Sequence, residues 1–266
     1  MAPAGVTPTR PDVRHDVRHD AVILAGGRAT RLGGVPKPTV MLDGATLLER
    51  ALAAARDADR TVVVGPDPVV PPGRDLLVTR EDPPFGGPVA GLDAGLRALD
   101  AAAARAARQD PPPWVLVLAV DVPRAGDAVP LLRAAVDPTE GDHDGAYLVR
   151  EGRAQWLVGL YRRDALRRAL AEVAGSAGPG ADGLAGVPVR RLVAELTCTE
   201  VPDDDGVSAD VDTWDDLRRL TVGLHPASDT AIRTRSHTGS HTVVAARAGT
   251  EPATTRPPTD RPGGHR

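Results

Sequence analysis

The sequence predicts a three-layer α/β domain in which helices cover both faces of a mainly parallel β-sheet. Three observations predict it. Short apolar runs recur at 22–25, 61–64, 76–79 and 114–120, too uniformly apolar for a sheet with one wet face. Amphipathic helical patterns alternate with them: Leu47, Leu48, Ala51, Leu52 and Ala55 share one face within 46–55, and Leu92, Leu96, Leu99 and Ala103 share one within 89–107. The resulting order, strand-helix-strand-strand-helix-strand, implies right-handed crossovers, which keep consecutive strands parallel.

Further along, 146–150 and 156–161 read as strands separated by Glu-Gly-Arg-Ala, either a hairpin or a pair of neighbouring strands. Helices near 163–174 and 214–220 complete the layers, the last led by Thr213 with Asp216 three residues on, a capping-box spacing. One domain is expected over 21–222. Before it, the arm 1–20 repeats Asp-Val-Arg-His and reads as disordered; His15 and His19 there suit a solvated arm better than a metal site, which needs a folded shell. After it, 223–266 is rich in Pro, Thr, Arg, His and Gly and is expected to be a disordered tail.

Composition bounds the chemistry. The 266 residues are 41% hydrophobic but only 2% aromatic, so a sizeable core has to be built from Leu, Val and Ala. A net charge of -4 supplies no broad positive field for nucleic acid or anionic lipid, and any anion site has to be local. A single cysteine, Cys198, excludes an internal disulfide framework and a cysteine metal cluster, and it reads as a small packed residue in a reducing compartment. No apolar stretch has signal-peptide or membrane-spanning length, and the expected location is the cytoplasm.

The first strand ends in Leu24, Ala25, Gly26 and Gly27, and Arg31, two further glycines and Lys37 follow before hydrophobicity returns. In parallel α/β sheets the ligand crevice lies beyond the carboxyl ends of the strands. Glycines there let the chain turn sharply and bring its amides close to an anion, while Arg31 and Lys37 can neutralise phosphate charge. Neither a Gly-x-x-x-x-Gly-Lys-Ser/Thr loop nor a dinucleotide fingerprint spacing is present, so a different phosphate cradle is expected. A glycine turn after a strand is as often purely structural, and the distant lysine, with the acidic and glycine-rich segments later in the chain, tips the balance.

Asp121 follows the apolar run ending at Val120, which puts it at the tip of a central strand, where a carboxylate either caps the next helix or binds a hard cation. The phosphate loop expected beside it favours the cation. Magnesium keeps several waters and needs only one or two carboxylates beside substrate phosphate, so Asp121 suffices as anchor, with Asp210 or Asp212 as a second ligand. Asp212 has a competing capping role before Thr213. Gly86, Gly87, Pro88 and Gly91 form a second loop able to lie flat against a base, and Asp82 before it carries two acceptors suited to guanine N1–H and N2–H. Arg190 and Arg191 either face an anionic acceptor or line a solvated helix edge.

Leu-Ala-Gly-Gly-x-x-x-Arg-Leu-Gly-Gly-x-x-Lys at 24–37 resembles the signature of nucleotidyltransferases related to molybdenum cofactor guanylyltransferase. Three further segments are similar to that family in order and spacing: Arg-Glu-Asp-Pro-Pro-Phe-Gly-Gly-Pro-Val-Ala-Gly at 80–91, Leu-Ala-Val-Asp-Val-Pro at 118–123 and Asp-Val-Asp-Thr-Trp-Asp-Asp-Leu at 210–217. The resemblance implies a Rossmann-like fold of the nucleotide-diphospho-sugar transferase type. It also implies that Leu24, Ala25, Gly26, Gly27, Lys37, Asp82, Gly87, Pro88 and Asp121 bind a nucleotide, that Asp121, Lys37 and Arg31 are catalytic, and that Asp121, Asp210 and Asp212 hold Mg2+. The implied reaction carries GMP from GTP to the phosphate of molybdopterin, with transient contact to molybdoenzymes or cofactor-synthesis proteins. Two alternatives stand beside it: transfer to another phosphorylated acceptor, such as a sugar phosphate or phospholactate, and a non-catalytic GTP-binding regulator.

Four departures from the family pattern are visible. Pro36 stands where aspartate usually precedes the lysine, Gly65 where the guanylyl branch often has asparagine, Asp210 and Asp212 where it has asparagines, and Gln155 or Trp156 at a histidine position on the pterin side.

Overall fold

The computed structural model describes residues 17–27, 32–66, 76–106, 110–136, 143–176 and 183–224, with 222–224 described by backbone alone. The segments 1–16 and 225–266, with His15, and the loop arginine Arg31 lie outside the described residues. In chain order the elements are β1 (His19–Leu24), a short 3-10 helix (Lys37–Thr39), β2 (Met41–Leu42), β3 (Ala45–Thr46), α1 (Leu47–Ala54), β4 (Thr61–Val64), β5 (Leu77–Thr79), α2 (Pro88–Arg105), β6 (Trp114–Ala119), α3 (Ala125–Ala135), β7 (Gly145–Arg150), β8 (Arg153–Arg162), α4 (Arg163–Gly175), α5 (Val189–Val193), β9 (Cys198–Pro202) and α6 (Trp214–Leu224).

Seven strands form one sheet in the order β5-β4-β1-β6-β8-β7-β9, and β2 and β3 make a separate small hairpin. The four strands β5, β4, β1 and β6 are parallel, joined by α1 and α2 as crossovers. β8 alone runs against both its neighbours, β6 and β7, while β9 is parallel to β7. Of the two readings left open for 146–161, the hairpin is the one that forms. Glu151 and Gly152 make a two-residue turn with φ of 51° and 71°, and a turn that short joins only antiparallel strands.

Strand alternation sorts the core into two layers. Ala21, Ile23, Leu116 and Leu118 face α1 and α3, whereas Val22, Leu24, Val115 and Val117 face α2 and α4. α2 lies unusually close to the sheet, because a Cβ on Gly95 would come within 2.8 Å of Val22 Cγ1 and one on Gly91 within 3.2 Å of Leu24 Cδ2. That closeness brings the N-terminus of α2 to the carboxyl ends of β1 and β4.

The first strand starts at His19, two residues before the expected domain boundary. His19 and Asp20 are buried: the His19 ring lies 2.9 Å from the Val17 carbonyl, and Asp20 pairs with Arg163. Residues 17–20 therefore lead into and open β1, with Arg18 paired to Asp59 and Asp20 to Arg163, both far along the chain. The sequence pattern does not predict α3, since Pro130 lies inside it.

Candidate active site

The carboxyl ends of β1 and β6 open onto a cleft of about 750 Å³, whose lining includes Leu24, Gly26, Gly27, Glu81, Gly87 and Asp121. Gly27 turns the chain at φ 146°, a conformation that a side chain disfavours. The loop is held from below: Ala25 N donates to Val64 O at 2.7 Å, and a Cβ on Gly65 would stand 2.9 Å from Ala25 C and 3.0 Å from Gly26 N. Glycine at position 65 thus has a steric reason, since any larger residue pushes on the glycine loop. Ala25 is buried and supports the loop, while Leu24, Gly26 and Gly27 face the cleft.

Lys37 opens a single 3-10 turn between Pro36 and the buried Pro38, closed by Thr39, whose N and Oγ1 both donate to Pro36 O at 3.0 and 2.9 Å. The Lys37 ammonium donates to Asp121 Oδ2 at 2.7 Å and to Asp212 Oδ1 at 2.5 Å. Proline at position 36 therefore leaves the lysine aimed at the strand tip. Burial opposes its charge, but the two carboxylates outweigh burial and hold its pKa above the usual lysine value. Burial pushes the Asp121 carboxyl up, Lys37 opposes this, and Asp210 adds to the rise.

Asp212 reaches the site on a tied-down strap between β9 and α6. Asp203 anchors its start, accepting from Val207 N at 2.8 Å, from Ser208 N at 2.9 Å and from the Ser208 hydroxyl. Arg124 Nη1 donates to Asp205 O at 3.0 Å, and Val211 N donates to Asp121 O at 2.8 Å. At its end, Thr213 and Asp216 form the expected capping box, with Asp216 N donating to Thr213 Oγ1 at 3.2 Å and Thr213 N to Asp216 Oδ2 at 2.8 Å. Thr213 does the capping, and the Asp212 carboxylate is turned to Lys37.

The expected three-carboxylate metal set does not assemble. Among the described residues no group of three or more His, Cys, Asp and Glu side chains is placed to hold a metal ion. Asp210 lines the cleft but faces Arg150 at 3.5 Å, a pairing that residue spacing does not disclose. Asp121 and Asp212 do converge on one cationic atom, Lys37 Nζ, and two carboxylates sharing a point of positive charge fit a hard divalent ion completed by water and phosphate.

At the segment before α2 the structure exchanges two neighbours. Glu81, not Asp82, lines the cleft, and Glu81 Oε1 accepts from Phe85 N at 3.0 Å. Asp82 instead lines a separate cavity between α2 and α4. Gly87, at φ 91°, and Pro88 start α2 at the cleft wall. Opposite them stand Gln155, Trp156 and Arg190, whereas Arg191 turns away to donate to Ser176 Oγ at 2.7 Å. Cys198 begins β9, and burial pushes its thiol up to about 12, which leaves it protonated and inert.

The family model of the MobA-like NTP transferase domain matches residues 21–196, from β1 through α5 to the segment before β9. The chain belongs to this family. Curated relatives include a molybdenum cofactor guanylyltransferase of Burkholderia lata, 37% identical over 134 residues that make up 46% of this chain and 58% of that protein. Another, from Pseudomonas entomophila, is 34% identical over 136 residues, 49% of this chain and 63% of that one. The chain thus spans about 58% of the length of the Burkholderia relative it matches. In fold, this MobA-like domain is similar to molybdopterin-guanine dinucleotide biosynthesis protein A from Archaeoglobus fulgidus, with a TM-score of 0.54 at 18% identity over 78% of this chain and 99% of that one. It is also similar to 2-C-methyl-D-erythritol 4-phosphate cytidylyltransferase from Thermus thermophilus, with a TM-score of 0.52 at 20% identity over 78% and 99% of the two chains.

Proposed function

We propose that this MobA-like protein transfers GMP from GTP to the phosphate of molybdopterin and releases pyrophosphate. The observation that carries the reading is the Lys37 ammonium bridging Asp121 and Asp212 beside the glycine loop, at the carboxyl ends of parallel strands. The names of the curated relatives support the choice of GTP and of molybdopterin.

In this reading an oxygen of the acceptor phosphate attacks the α-phosphorus of GTP in line. A new phosphorus–oxygen bond forms, the bond from the α-phosphorus to the α,β-bridging oxygen breaks, and pyrophosphate leaves with that electron pair. A phosphate nucleophile is already ionised at neutral pH, so no side chain has to remove a proton, and catalysis reduces to positioning and charge neutralisation. The amides around Gly26 and Gly27 receive the phosphates, and Lys37, with Arg31 in the same loop, balances the charge of the departing pyrophosphate. Glu81 and the start of α2 at Gly87 and Pro88 hold the guanine. Gln155, Trp156 and Arg190 face the acceptor. Asp121 and Asp212 would hold a divalent cation, Mg2+, which when bound neutralises the reacting phosphates.

Incubation with Mg2+, molybdopterin and each of GTP, CTP and UTP, followed by mass spectrometry of the products, tests the proposal. A GMP–molybdopterin adduct from GTP alone is expected. An adduct with a sugar phosphate or phospholactate and none with molybdopterin would replace the acceptor, and GTP binding without any product would make the protein a regulator.

A further inference from the structure

We propose that Lys37 is an exchangeable cation, competing with free divalent metal for Asp121 and Asp212 and yielding them more readily to metal that arrives with the phosphates of a nucleotide. The inference takes its functional meaning from the transfer reading, but its basis is the geometry of three side chains. Lys37 Nζ stands 2.7 Å from Asp121 Oδ2 and 2.5 Å from Asp212 Oδ1, so it fills the point on which both carboxylates converge. A divalent ion using both oxygens has to occupy the same space.

The three groups are held for this arrangement rather than meeting by chance of a flexible surface. The Lys37 side chain is 18% exposed and that of Asp121 22%, while the more open Asp212, at 38%, is set by the backbone around it. Pro36 and the buried Pro38 flank the lysine and fix its turn. Val211 N binds the Asp121 carbonyl, and the Thr213–Asp216 box fixes the backbone beside Asp212. A bare metal ion entering this site would push aside an ammonium that has little solvent around it and, with that ammonium still nearby, would turn a net negative cluster into a net positive one. Metal carried on a triphosphate brings its own anion, to which the displaced ammonium can pair in the adjoining glycine loop. Metal binding and nucleotide binding are then positively coupled through the lysine, and the site discriminates the metal–nucleotide complex from the metal alone.

The test is a Mn2+ titration of the full, nucleotide-free chain, read by electron paramagnetic resonance. Lys37→Gln should bind Mn2+ at least about tenfold more tightly than the unaltered protein, the scale of one charge-assisted hydrogen bond removed. Lys37→Arg, which keeps the cation, should stay within a few-fold of the original. Adding Asp121→Asn to Lys37→Gln should abolish the gain. No gain in Lys37→Gln, or a gain that survives Asp121→Asn, overturns the proposal. A second readout uses the unaltered protein: saturating Mn2+ should speed acylation of Lys37 by an N-hydroxysuccinimide ester, followed by mass spectrometry, and bound Mn2+ that leaves this rate unchanged also overturns it. Neither readout needs nucleotide or acceptor. Their failure would leave the transfer reading standing, and absence of a transfer product would leave the lysine exchange standing.

Discussion

Glu81 and Asp82 show what decides a binding residue at the scale of single side chains. Both are acidic and adjacent, yet only Glu81 faces the cleft, while Asp82 lines a different cavity. Glu81→Gln should therefore weaken GTP binding about tenfold, the scale of a charge-assisted contact, whereas Asp82→Asn should leave it unchanged, as measured by isothermal titration. Equal losses in the two variants would contradict the assignment. Lys37 and Asp121 were legible in the sequence, because each sits at a position that strand ends and glycines define. Which member of an acidic pair faces the site was not, because 81 and 82 lie in a loop without a period and 210 and 212 share the same parity. Only the partners, Phe85 N for Glu81, Arg150 for Asp210 and Lys37 for Asp212, separate them.

At the scale of elements, the strap between β9 and α6 turns a sequence motif into a site. Burial raises the Asp203 carboxyl, but the Ser208 hydroxyl and amide and the Val207 amide outweigh it and hold its pKa below the ordinary 3.8. The Thr213 hydroxyl, against a smaller effect of burial, likewise holds Asp216 below 3.8. A carboxyl with a depressed folded pKa adds stability that is present above its unfolded value and lost as the pH falls through the folded one. The urea midpoint should therefore drop as pH is lowered below about 3.8, and Asp203→Asn should flatten that drop while lowering the midpoint at pH 7. An unchanged acid slope in Asp203→Asn would remove Asp203 as the anchor. The capping box at Thr213 was readable because it is local in sequence. The strap's other ties, from Arg124 to Asp205 and from Val211 to Asp121, span large sequence separations and leave no pattern. α3 is hidden for a local reason, since an internal proline contradicts the helical rule that its buried Ala128, Val129 and Leu132 otherwise obey.

For the whole molecule, the sheet and the cleft depend on a buried charge at the opposite end from the chemistry. Arg163, at the start of α4, donates through Nε to Pro112 O at 2.9 Å and pairs with Asp100 at 3.0 Å and with Asp20 in β1. Burial pushes the Asp20 carboxyl up, and Arg163 opposes the shift. Arg163→Ala would strand that carboxylate and should cost about 3–5 kcal/mol in urea unfolding, against less than 1 kcal/mol for an exposed arginine such as Arg97. The parallel half of the fold was legible because apolar runs and helical periods alternate there. The antiparallel β8 was legible as one of two readings of 146–161, whereas the buried start of β1 was not, because it depends on a partner 143 residues away. Residue, strap and sheet meet at Asp121, which lies where the central strand ends, beside a lysine and a glycine loop. The most direct test is pyrophosphate release from GTP with Mg2+ and molybdopterin, comparing the unaltered protein with Asp121→Asn. Release that needs all three components and falls about 100- to 1,000-fold in the variant is the predicted result, and release that Asp121→Asn leaves intact would contradict the account.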